Sequence, residues 1–148
     1  MQLITIDFET FYDTGYGLNR LTTEEYIHDI QFQVIGVAIK INDGKTEWYS
    51  GEQVSKALAD IAWDDAMLLC HNTQFDGAIL KWRYNIEPVG YLDTLCIARA
   101  KHGTNAGGSL KALAERYKLG EKGTEVIDAK GLRLEDFPEH QLRQYGAY

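Results

Sequence analysis

Gln2-Leu3-Ile4-Thr5-Ile6-Asp7-Phe8-Glu9-Thr10 stands at the head of the chain. From Gln2 to Phe8 the run is almost unbroken in apolar residues, which predicts a central strand buried on both faces of a sheet. Side chains alternate along a strand, so Asp7 and Glu9 point to one side and Phe8 into the opposite layer. Two carboxylates on one face of an apolar strand repel each other, and burying them unpaired is costly. A divalent cation between them removes that cost, and an oxygen-rich site suits magnesium or manganese. Taken alone, the pair also fits two solvated acids at a strand end.

Outward from this strand, Leu21–Ile30 has helical spacing, with Thr22 and Glu25 set as a capping box and Tyr26 and Ile30 on one face. Gln33–Ile41 is β-branched, and Asn42-Asp43-Gly44-Lys45 turns it into Thr46–Tyr49 as a hairpin. Val54–Trp63 reads as a helix and Ala66–His71 as a second buried strand. Phe75–Tyr84, Thr94–His102 and Ser109–Leu119 read as helices, the last with Ser109 as N-cap and Gly120 as its stop. Thr104–Gly108 is a loop, and Pro138 suits the first turn of a final helix over Glu139–Tyr148. This order predicts one α/β domain, a mixed sheet with helices packed on it.

At 148 residues and 45% hydrophobic, the chain is long enough for one sizeable core. No run approaches the roughly 18 apolar residues of a membrane helix, and Met1–Thr10 has no basic lead or small-residue cleavage site of a signal peptide. Cys70 and Cys96 both lie in apolar stretches, which predicts reduced, buried thiols and a cytoplasmic location. The net charge of −7 is the wrong sign for holding nucleic acid by a broad basic surface. A nuclease whose acidic site is neutralised by divalent cations escapes that objection.

Three further segments carry polar chemistry. His71-Asn72-Thr73-Gln74-Phe75-Asp76 runs from a strand end through a short turn into a helix, where ligand sites collect in open α/β sheets. Asp76 in a first helical turn also has a plain role against the helix dipole. Asp93, in Leu92-Asp93-Thr94-Leu95, fits an N-cap better than a metal ligand. Tyr145-Gly146-Ala147-Tyr148 reads, by spacing alone, as close helix packing.

Together, and in this order, these segments resemble the DnaQ-like (DEDD) 3′–5′ exonucleases. Ile6-Asp7-Phe8-Glu9-Thr10 is similar to their first motif, and His71 to Asp76 with the apolar Gly77–Leu80 behind it is similar to their second. Leu92-Asp93-Thr94-Leu95 resembles a downstream segment of polymerase proofreading domains. Ser109-Leu110 through Leu113 and Gly120 to Gly123 resemble phage-type family A polymerases. The tyrosine-subclass motif Y-x-x-x-D has its tyrosine at Tyr148, and its aspartate falls beyond the last residue. The histidine subclass is rejected, because Tyr145 stands where His140 would need its acid.

The resemblance implies a ribonuclease H-like α/β fold, a mixed sheet with helices on both faces, and one domain, 1–148, cut within the third motif. It further implies a proofreading exonuclease acting in DNA replication as part of a DNA polymerase, in the host cytoplasm if the source is viral. Its partners would be a single-stranded DNA 3′ end and a polymerase domain, with no membrane. Asp7, Glu9 and Asp76 would hold Mg2+ or Mn2+, two ions in the complete enzyme, and Tyr148 would position the attacking water. Phe8, Thr10, Asn72 and Phe75 would contact the terminal nucleotides. The alternatives are a stand-alone DEDD exoribonuclease and a catalytically silent binding module of the same fold. The chain as it stands, lacking the fourth acid, is expected to fold and to be a poor nuclease.

Overall fold

β1 (Gln2–Thr10) forms the middle of a five-stranded sheet in a computed structural model of the chain. The structure describes residues 1–120, 129–138 and 141–142. β2 (Val34–Ile41) lies antiparallel beside β1, with β3 (Glu47–Ser50) outside it. On the other side β4 (Ala66–Cys70) and then β5 (Gly90–Asp93) run parallel to β1. The order is β3-β2-β1-β4-β5.

The turn between β2 and β3 is fastened to the start of β1. Asn42 sits in the left-handed region at φ 51°, which Asn tolerates better than most residues. Its Oδ1 accepts from Leu3 N–H at 2.9 Å, and its own N–H donates to the Leu3 carbonyl at 2.8 Å.

One face of β1 carries Ile4, Ile6 and Phe8, all buried, in register with Ile39 and Val37 of β2. Five α-helices are described: α1 (Thr23–His28), α2 (Gln53–Ala59), α3 (Thr73–Tyr84), α4 (Thr94–His102) and α5 (Leu110–Tyr117). α3 covers the Phe8 face, where the Phe8 and Tyr84 rings stack with centroids 6.0 Å apart. α1 adds Tyr26 and Ile27 to the same core, and α2 adds Val54 and Leu58. α4 and α5 flank the opposite face and form a groove with Asp7. That face is less deeply covered: Leu3 and Thr5 are half-buried and Asp7 is exposed. The expectation of a strand buried on both faces is therefore corrected, because the acidic residues at its end keep one side wet.

Several boundaries also differ from the sequence reading. α1 has the Thr22–Glu25 capping box, but the chain leaves the helix at Asp29 and Ile30 is 99% exposed rather than sharing a face with Tyr26. α2 ends at Ala59, and Trp63 begins a separate 3-10 turn whose indole donates to the Leu58 carbonyl at 2.7 Å. The left-handed C-cap of α5 is Lys118, at φ 55°, rather than Gly120. Thr104–Ala106 is a short 3-10 turn rather than plain loop. Both cysteines are free, as expected, but only Cys70 is buried. Pro138 accepts from the amides of Gln141 and Leu142, the start of a helical turn.

Candidate active site

β1 pairs with β4 from Gln2 to Thr5 only. β4 stops at Cys70, and the chain turns into α3. The Phe8 N–H therefore lies beyond the parallel ladder, and a buried unpaired amide is costly. Asp76, in the first turn of α3, supplies the acceptor: its Oδ1 takes the Phe8 N–H at 3.0 Å. This bond holds the Asp76 carboxylate against the β1 backbone at the residue between Asp7 and Glu9.

Asp76 is only 4% exposed. Burial, and then repulsion from Asp7 and Glu9, push its carboxyl up to about 7 against the opposing pull of the Phe8 amide. Asp76, on α3, thus feels the charges of both acids of β1. All their donors are oxygen, the chemistry of a hard divalent cation. Among the described residues no three His, Cys, Asp or Glu side chains form a ready-made cation cage. Asp7 is exposed and Glu9 half-buried.

Two grooves flank the strand end. Asp7 opens on one of about 510 Å³, largely apolar, walled by Ile97, Ala98, Leu110, Leu113 and Tyr117 of α4 and α5. Glu9 opens on another of about 600 Å³, where Thr10, Tyr12, Arg20, Tyr26, Phe75 and Lys130 meet. The β1–β2 register shifts between Glu9 and Thr10, an irregularity of the kind that re-aims side chains at sheet rims. Opposite Glu9 stands Gly36, where a Cβ would lie 2.3 Å from the Trp48 ring. Only glycine lets the indole cross β2 there.

Asp93 has a different role. Its Oδ1 and Oδ2 accept from the amides of Asn72 and Thr73 at 3.1 and 3.0 Å, at the start of α3. Its Oδ1 also accepts from Leu95 and Cys96 at 2.8 and 3.3 Å, at the start of α4. Partial burial works against the charge, but these four amides outweigh it and hold the carboxyl below its usual range. The N-cap role read from the sequence is present, and a second helix shares it.

Of the other residues singled out, Asn72 is exposed in the left-handed region at φ 71° and its side chain makes no capping bond. Phe75 is half-buried on the wall of the Glu9 groove, its ring 6.1 Å from that of Tyr26. The Phe8 ring, read as a nucleotide contact, is 4% exposed and stacked on Tyr84. Phe8 faces the core because strand alternation that turns Asp7 and Glu9 outward turns it inward. His71 Nδ1 shares a 2.9 Å hydrogen bond with Thr94. Tyr148 lies outside the described residues. Sequence reasoning missed Arg20, Tyr26 and Lys130 as groove residues. Tyr26 carried only a helix-face signal, and nothing in spacing links Arg20 with Lys130.

No known family profile and no curated protein matches the chain. Solved structures do. Brucella melitensis NrnC bound to pGG is similar with TM-score 0.67 at 19% identity, covering 98% of this chain and 64% of that one. The same protein with bound Mg2+ gives TM-score 0.66 at 17% identity, with 98% and 64% covered. A Trypanosoma brucei RNase D complex with RNA U12 gives TM-score 0.67 at 16% identity, with 98% and 50% covered. The chain spans about two thirds or less of the length of these proteins. At such identities the likeness is one of fold, and the fold is ribonuclease H-like.

Proposed function

We propose that this chain is a divalent-metal-dependent 3′–5′ exonuclease domain acting on a single nucleic-acid strand. The observation that carries the reading is the Asp76 carboxylate, desolvated and held by the Phe8 amide beside Asp7 and Glu9. An acid pushed toward neutrality by burial, and then by two neighbouring acids, is a group that a cation would stabilise. NrnC, of the same fold, has been seen with Mg2+, and the all-oxygen donor set here suits Mg2+ or Mn2+.

Asp7, Glu9 and Asp76 would hold the metal. When bound, the ion supplies Lewis acidity toward the scissile phosphate and the attacking water. The chain's own residues would do the rest. Asp76 would give up its proton to take the ion, and its Phe8 bond would hold the carboxylate in place. Tyr148 would orient the water. Asn72 and Phe75, on the turn into α3 and its first turn, would receive the terminal nucleotide, Phe75 from the wall of the Glu9 groove.

As to the strand, NrnC bound to pGG and RNase D with RNA U12 favour an exoribonuclease over a polymerase proofreading domain. The polymerase reading rests on the resemblance of Leu92–Leu95, Ser109–Leu113 and Gly120–Gly123, and it remains the second reading. The test uses 5′-labelled RNA and DNA strands of one sequence with Mn2+. Metal-dependent binding is expected, with slow shortening from the 3′ end, RNA being preferred on the first reading and DNA on the second. Strand binding that ignores both Mn2+ and Asp7→Asn would sink the proposal.

A further inference from the structure

The ring of Phe75 has a counterpart further along α3. Seven residues on, Trp82 meets His28 of α1 with ring centroids 4.8 Å apart, as Phe75 meets Tyr26 of α1 at 6.1 Å. Seven residues are two helical turns, so the two rings lie on one stripe of α3 about 10 Å apart. Ala78 holds the stripe position between them, half-buried, and a methyl is too short to fill the space between two rings. Phe75 walls the groove that Glu9 opens on. The stripe therefore carries that groove outward, away from the acids and toward the last turn of α3.

Trp82 is 43% exposed, a large share for an indole that already packs on an imidazole. Its flanks are polar. Arg83 is exposed, with its guanidinium over the Phe32 ring at 5.2 Å, Lys81 pairs with Glu87 at 2.9 Å, and Asn85 caps the helix. Such a rim does not suit an apolar helix or a lipid surface. A nucleic-acid strand suits it on both counts. Every base has a flat π-face that stacks on an aromatic ring, and the phosphates match a guanidinium. In a chain of net charge −7, stacking holds a strand where a broad basic surface is missing.

We infer that Trp82 is a stacking platform for an upstream base, so that the chain holds a strand of several nucleotides more tightly than a dinucleotide. A stacked strand rises about 3.4 Å per nucleotide, which puts Trp82 about three nucleotides from the one at Phe75. Arg83 contacts the backbone that passes the indole. The inference rests on the exonuclease reading above and adds to it a substrate length that the three acids alone do not set.

The experiment measures binding of oligoadenylates of two and seven nucleotides, as RNA and as DNA, to the full chain by calorimetry in calcium buffer. The native chain should hold the heptanucleotide about five- to thirty-fold more tightly than the dinucleotide, the worth of one base stacked on an open platform. Trp82→Leu should bring the heptanucleotide close to the dinucleotide and leave the dinucleotide unchanged, whereas Trp82→Phe should keep most of the difference. Arg83→Gln should lower the salt dependence of heptanucleotide binding alone. Tryptophan emission gives a second readout. The heptanucleotide should quench it and the dinucleotide should not, and the quenching should vanish in Trp82→Phe, where Trp48 and Trp63 remain. Equal affinity of the native chain for the two lengths, or a length preference that survives Trp82→Leu, overturns the inference and leaves the exonuclease reading standing. If neither length binds, as RNA or as DNA, that reading fails and this one with it. Should Trp82→Leu not fold, the emission of the native chain and of Trp82→Phe decides alone.

Discussion

Two turns lead from a parallel strand into a helix, and each carries an aspartate with the opposite fate. At the second, between β5 and α4, Asp93 spends its oxygens on four backbone amides from the starts of two helices. At the first, between β4 and α3, Asp76 is buried, receives the Phe8 amide and feels the charges of Asp7 and Glu9. One acid is held charged by donors, the other held protonated by burial and by acids. The same residue type, after a strand in both places, is surrounded by amides in one and by burial and acids in the other.

The sharpest way to break this comparison is at the chemical turn. In a full-length parent, Asp7→Ala should reduce metal-dependent excision by at least about a thousand-fold, because loss of one ligand removes several kcal/mol of transition-state stabilisation. Rates on a 5′-labelled strand with Mn2+ measure it. Undiminished release would mean that Asp7 only solvates the strand end.

Next is the pH dependence of Asp76. Its carboxyl is raised in the fold to about 7 from an ordinary 3.8, so the folded chain binds the proton more tightly than the unfolded one. That contribution is fully present below about pH 4 and is lost as pH rises through about 7. At roughly 1.4 kcal/mol per unit, the upper bound is about 4 kcal/mol. Asp76→Asn keeps an acceptor for Phe8 N–H and removes the charge. It should raise the metal-free melting temperature at pH 8 while weakening Mn2+ binding, by thermal denaturation and calorimetry. A melting temperature lowered at pH 8 would contradict the burial argument.

Asp93→Ala should cost about 2–3 kcal/mol in urea unfolding, more than one ordinary cap, since two helices lose their acceptor. Its pH sign is opposite to that of Asp76. The Asp93 carboxyl lies below its usual range, so its contribution is present above about pH 4 and lost as pH falls through its lowered value. Metal affinity should change little. A large loss of Mn2+ binding in Asp93→Asn would make Asp93 part of the chemical group after all.

The smallest effect is the control. Thr22→Ala breaks the capping box of α1 alone and should cost about 1 kcal/mol. A cost equal to that of Asp93→Ala would remove the case that the shared cap is worth more than a local one.

Sequence alone was enough wherever an element answers to neighbours in the chain. The run Gln2–Phe8, the Thr22–Glu25 box, the turn at Asn42 and the Ser109 cap all rest on alternation, capping or turn chemistry within a few residues. It failed where a boundary turns on how a side chain folds back: α2 ends at Ala59, and the Trp63 indole, in a separate turn, donates to the Leu58 carbonyl. Ile30 missed its place on Tyr26's face because the chain leaves the helix at Asp29.

The site divides in the same way. Strand alternation by itself put Asp7 and Glu9 on one side of β1 and, read through, would have sent the Phe8 ring inward. What tertiary structure alone decided is which aspartate joins them. Asp93 stands at the N-cap of α4 and Asp76 inside the first turn of α3, a local difference that pointed to the cap role of Asp93 but not to what Asp76 meets. They part because β4 stops short of Phe8 and leaves an amide for Asp76, whereas Asp93 takes two amides from the start of its own helix α4 and two from the start of α3 beside it. Hydrogen-bond supply across the sheet is a property of register, and register between strands some 60 residues apart is not written in any one stretch of chain.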